Sequence, residues 1–162
     1  MKWIKLLTRV RPKMFGNLLW LSITHILFAM PTFLATKQCM FLSTELYGRK
    51  HYQNGPENAF RHALWNYLIA KRCLSWRNNP SKVLRWTKHI TDWHEDAFSN
   101  STLARKMDEH NNTVGRQLFK AHGEDQEKVM HILKRMTSES IQITMETDLN
   151  RLKQQFVHIK TT

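Results

Sequence analysis

From Asn58 to Ala70 the chain carries one charge, Arg61, and neither Gly nor Pro. At about 100° per residue, Phe60, Ala63, Leu64, Tyr67 and Leu68 fall on one apolar face. Trp65 and Ile69 lie opposite, with Asn58, His62 and Asn66 threaded between at i, i+4, i+8. A helix that is apolar nearly all round is buried, so these three polar side chains are expected inside the protein. The turn at Asn54-Gly55 places Pro56 in the first helical turn, with Glu57 beside the positive helix end.

The same periodicity predicts helices elsewhere. After Asn79-Pro80-Ser81, residues 82–98 place Val83, Trp86, Ile90, Trp93 and Ala97 on one stripe with His94 inside it and Glu95 toward one edge. Ser99-Asn100-Ser101 caps a helix from Thr102 to Ala121, where Leu103, Met107, Val114 and Leu118 face inward and His110 and Asn111 border them. Asp108, Asn112 and Arg116 form a separate i, i+4, i+8 line. Gly123 ends that helix, and Val129, Ile132, Leu133 and Met136 mark the next. The spacing of Ile141, Met145, Leu149, Leu152 and Phe156 predicts a last amphipathic helix. Upstream, Pro31 is read as restarting a helix that runs to Tyr47. With no sustained strand alternation, the expected fold is an all-α, single-domain helical bundle of about six to seven helices.

Charge changes the picture at one end only. The net charge is +12, and residues 1–50 hold eight Lys/Arg against one acid. Residues 1–13 mix five basic residues with Trp3, Ile4, Leu6, Leu7 and Val10, the composition of a helix lying on anionic lipid. Residues 14–36 carry no formal charge, but Asn17, Ser22, Thr24, His25 and Pro31 dilute them as a span. An interfacial helix ranks first, a core helix second and a transmembrane anchor third. The chain is therefore divided into a basic, hydrophobic segment at 1–30 and a bundle domain at 31–160, with residues 1–36 facing an anionic membrane surface. Cys39 and Cys73 lack metal or redox spacing and read as reduced thiols, a single disulfide being the alternative. The expected location is cytoplasmic, peripheral to the inner membrane. The basic residues of the second half are scattered among acids, which disfavours nucleic acid as a partner.

Three helices thus bring polar groups to positions where burial is expected, the way bundle sites are built. His62, His94, Glu95 and Asp108 are the candidate metal ligands or acid–base groups; Arg61, Asn111, Asn112 and Arg116 are candidates for binding substrate. Imidazole and carboxylate suit zinc, iron or manganese, and such an ion would activate water for hydrolysis. Metal-free acid–base catalysis and a purely structural hydrogen-bond network fit the same residues. There is no H-E-x-x-H, no ferritin-like E-x-x-H at these sites and no C-x-x-C.

Taken together, N-A-F-R-H-A-x-W (Asn58 to Trp65), His94-Glu95 and M-D-x-H-N-N-x-x-G-R (Met107 to Arg116) resemble an uncharacterised domain family of small bacterial proteins, seen among Bacteroidetes-type bacteria. The likeness spans roughly residues 30–150. It implies an all-helical domain with Arg61, His62, His94, Glu95, Asp108, Asn111, Asn112 and Arg116 as signature positions, and no reaction. The expectation is a small hydrolase, metal-dependent in its leading form, acting on a phosphate-bearing or lipid substrate. The rivals are a non-enzymatic membrane-associated or protein-binding module and a nucleic-acid-binding helical protein.

Overall fold

A computed structural model describes residue 16, residues 26–98 and residues 101–160. Expectations that rest on residues 1–13, and much of those on 14–36, lie outside the described residues. The fold is all-α. Its described helices are α1 (Ile26–Tyr47), α2 (Pro56–Trp76), α3 (Pro80–Phe98), α4 (Thr102–His122) and α5 (Gln126–Ser138). Helix α2 is central. Helices α1, α3, α4 and α5 all pack on it, so it buries twelve of its residues, Asn58, His62 and Asn66 among them.

Helix starts follow their local chemistry. Gly55 caps α2 ahead of Pro56, Ser101 Oγ accepts from the Ala104 amide, and Asp125 Oδ1 accepts from the Lys128 amide. Gly123 terminates α4 at a φ of 58°, a conformation that favours glycine. Helix α1 does not restart at Pro31 but runs through it, and Pro31 is buried.

The last segment departs from the expected helix. Residues Ile141–Gln142 (β1) and Val157–His158 (β2) pair in parallel, joined through a 3-10 turn at Glu146–Arg151. Two local effects outweigh the helical spacing of Ile141 to Phe156. Asp148 accepts the amides of Thr144 and Met145 at 3.1 and 3.2 Å, so the backbone there takes a side-chain partner in place of a helical one. Ile143, Phe156 and Val157 then bury, while Met145 of the expected stripe is exposed.

One close approach sets how α2 and α4 pack. A Cβ at Gly115 would sit 2.2 Å from the Ala63 carbonyl oxygen. Backbone thus lies against backbone at this crossing, and the polar residues one turn away on each helix come within hydrogen-bonding reach. The clash is with main chain, which cannot rotate aside. Gly115→Ala is expected to cost about 3 kcal/mol, read as a lowered denaturation midpoint; an unchanged midpoint would mean that the helices can part without loss.

Candidate functional site

Three lines of polar residues, each at i, i+4, i+8, converge on the space between α2, α3 and α4. They are Asn58, His62 and Asn66; Thr87, Thr91 and Glu95; and Asp108, Asn112 and Arg116. The second line inverts the expectation for α3. Glu95, placed toward an edge by periodicity, is 2% exposed, whereas His94 is only half-buried. The reason is that α3 turns its threonine face, not only its tryptophan stripe, into the protein.

His62 is the centre. Arg61 Nη2 donates to His62 Nε2 at 2.7 Å. A guanidinium can only donate, so Nε2 holds the lone pair and Nδ1 carries the proton. That proton points at Asn112 Oδ1, 3.2 Å away, and Glu95 Oε1, 3.4 Å away. Asn112 makes two further bonds: its Oδ1 also accepts from Asn66 Nδ2 at 2.6 Å and its Nδ2 donates to Glu95 at 2.8 Å. Asn66 Oδ1 in turn accepts from Arg116 Nη1 and Thr91 Oγ1. Arg116 also donates to Thr113. It is thereby held by neutral acceptors, not by Asp92, Glu95 or Asp108 as a structural ion-pair network would have it.

Two members of these lines depart from this satisfaction: Asn58, whose buried Oδ1 has no hydrogen-bond partner, and Asp108. The Asp108 Oδ1 lies 3.3 Å from His62 Nε2 on a side chain 14% exposed, yet that buried oxygen has no hydrogen-bond partner. Buried polar atoms are ordinarily paired. The two carboxyls respond oppositely. Burial, reinforced by the Glu95 charge, pushes Asp108 up to about 6 against the pull of His62 and Arg61. Burial also pushes on Glu95, but His62, His94 and the Asn112 amide outweigh it and hold Glu95 at about 2.

His62, Glu95 and Asp108 can each offer one atom to a single ion, those atoms all lying within 4.8 Å of one another. Two ligands about 2.1 Å from an ion at a near-tetrahedral angle are about 3.4 Å apart, close to the Nε2–Oδ1 separation. Glu95 and Asn112 behind the other ring nitrogen resemble the hydrogen-bonding shell that fixes a metal-bound imidazole. The donor set fits a divalent ion.

The other expected site residues separate from this centre. His94 is not among the three; its ring packs edge-on against Trp65 and beside Phe98, and burial pulls it down to about 4. Asn111 spends both ends of its amide on the Val157 backbone, at 2.9 and 3.2 Å, and so anchors β2 instead of facing a substrate. His110 lies 2.8 Å from the Gln155 carbonyl. Asn66, expected inside the protein, and Thr91, which periodicity did not single out, belong to the network as well. Cys39 and Cys73 are free, buried and raised to about 12 by burial, which leaves them inert.

The profile of a domain of unknown function, DUF6973, matches residues 19–141 of this chain. No curated protein and no solved structure matches it.

The two carboxyls give stability opposite pH dependences in chelator-treated protein. Asp108 has a folded value above the ordinary carboxylate value of about 3.9, so its contribution is complete below pH 4 and lost as pH rises through about 6. Asp108→Asn is expected to raise the midpoint at pH 8, with the gain shrinking toward pH 5. Glu95 has the reverse sign: its contribution is present above about pH 4.3 and lost as pH falls toward 2. Glu95→Gln should therefore destabilise at pH 7 and cease to do so near pH 2. Urea unfolding across pH reads both, and two parallel profiles would refute the assignment.

Proposed function

The chain belongs to the DUF6973 family, a domain of unknown function, and from its buried cluster we propose a hydrolase of anionic esters. His62 Nε2 and Asp108 would hold one divalent ion, with Glu95 fixing the imidazole from its Nδ1 side, and the ion's chemistry would be to lower the pKa of a bound water to near neutrality. The observation that carries this reading is the unpartnered, buried Asp108 Oδ1 beside His62 Nε2. A carboxylate kept there without a donor costs stability, a cost that a cation would offset.

The chain's own groups supply the rest. Glu95 and Asn112 hold the Nδ1–H tautomer of His62 and so aim its Nε2 lone pair toward Asp108 and Arg61. Arg61 and Asp108 are the partly exposed members of the centre, which puts the mouth on their side. At that mouth Arg61 receives the anionic group of the ester, as a guanidinium suits phosphate or carboxylate. An ion held at His62 Nε2 would displace Arg61 from that lone pair and leave its guanidinium free for the ester.

The Arg61–His62 contact also favours a second reading, in which no ion takes part. There Arg61 stays on Nε2, and Asp108, raised to about 6, serves as a general acid near neutral pH.

Elemental analysis and calorimetric titration with zinc and with manganese test the first reading. One ion per chain is expected, with affinity at least about 100-fold weaker in Asp108→Asn and in His62→Ala, and about 10–100-fold weaker in Asn112→Ala. Arg61→Gln is expected to bind the ion no less tightly than the parent while losing hydrolysis of chromogenic phosphoesters. Absence of binding, or binding indifferent to Asp108 and His62, overturns the metal reading. Hydrolysis that survives chelator and titrates with Asp108 would favour the second.

A further inference from the structure

Helix α1 has two unlike faces. One, made by Thr32, Ala35, Cys39 and Ser43, is buried. Its neighbours tie it to the bundle: Trp65 donates to Thr36 Oγ1 at 2.8 Å, Trp86 to Thr32 Oγ1 at 2.9 Å, and Cys39 Sγ to the Arg61 carbonyl at 3.3 Å. The opposite face is apolar and open. Ile26 is 67% exposed, Phe33 60% and Phe41 64%, and Leu27, Met30 and Leu34 are exposed beside them. At about 100° per residue these six occupy one arc of roughly 120°. Contiguous apolar surface of this kind marks an interaction site.

We propose that this face of α1 docks the protein on an anionic membrane surface, with the helix lying in the interface plane. Charge chooses the occupant. Glu45 is the first acid in the chain, and residues 1–44 carry Lys2, Lys5, Arg9, Arg11, Lys13 and Lys37. The apolar arc is thus continuous in sequence with a strongly basic stretch, which anionic headgroups attract. Between Ile26 and Phe41, Lys37 is the lone charge within the arc, Glu45 lying at its edge one turn farther on, and the Lys37 ammonium lies 5.7 Å over the Phe33 ring; a long stem with its charge at the headgroups suits an interface. A second copy is a poorer occupant, because it would meet the face with the same positive charges. Crossing the bilayer is disfavoured too. Although α1 is the one described helix long and apolar enough to span, spanning would strip Thr32, Thr36 and Cys39 from their partners in the bundle.

The docking surface is independent of the metal centre, and its test reads binding alone. Full-length protein is floated with vesicles of phosphatidylcholine alone and of phosphatidylcholine rich in phosphatidylglycerol, at physiological salt. Binding to the anionic vesicles only is expected, weakened at least about tenfold in the double variant Phe33→Ser/Phe41→Ser, whose circular dichroism should match the parent. Equal binding to both vesicle types, no binding to either, or undiminished binding by the double variant overturns the proposal. So would a parent dimer in light scattering that the double variant dissolves, since that assigns the face to a second copy.

Discussion

Two helix backbones in contact at Gly115 and Ala63 are the constraint on which the rest of this protein depends. With no side chain between them, the short amides Asn66 and Asn112 can bond directly across the crossing. With them come His62 on one helix and Asp108 and Arg116 on the other. A larger residue at 115 would hold the helices apart and leave each of these groups to find water or go without. The close crossing therefore links packing to chemistry: the geometry that lets α2 be buried from all sides also gathers its polar residues into one cluster.

That cluster is arranged unlike a network built for stability. Asn112 makes three hydrogen bonds and Asn66 four, although Asn58 Oδ1 is buried without a partner. The charged members are not matched in the same way. Arg61 sits on an imidazole, Arg116 on amide and hydroxyl oxygens, and Asp108 leaves a buried oxygen bare. A register-setting core would gain by pairing Arg116 or Arg61 with a carboxylate or by replacing Asp108 with an amide. Keeping an acid where burial raises it to about 6 makes sense where something positive is bound there. The same asymmetry runs through α1, bound to the bundle by threonine and cysteine on one face and bare on the other.

Much of this was legible in the sequence because α-helical periodicity is strong wherever Gly and Pro are absent. The span of α2, its all-round burial and the polar lines at Asn58/His62/Asn66 and Asp108/Asn112/Arg116 followed from spacing alone. Spacing failed where a residue's partner is distant in the chain. Asn111 and Asn112 are adjacent and chemically identical, yet one anchors Val157 and the other orients His62; only the docked β2 distinguishes them. Glu95 is more deeply buried than His94, against expectation, because tryptophans draw attention to one face of α3 while Thr87 and Thr91 make the other. In the final segment an apolar repeat at helical spacing lost to the Asp148 turn and to pairing with β2.

The central claim is that His62 and Asp108 share a cation. Anomalous diffraction from crystals grown with manganese measures this most directly. The account predicts one strong peak within about 2.0–2.3 Å of His62 Nε2 and an Asp108 oxygen, with the Arg61 guanidinium displaced from the imidazole. No peak there at saturating manganese, with Arg61 still on Nε2 and Asp108 paired to some other protein donor, would contradict it.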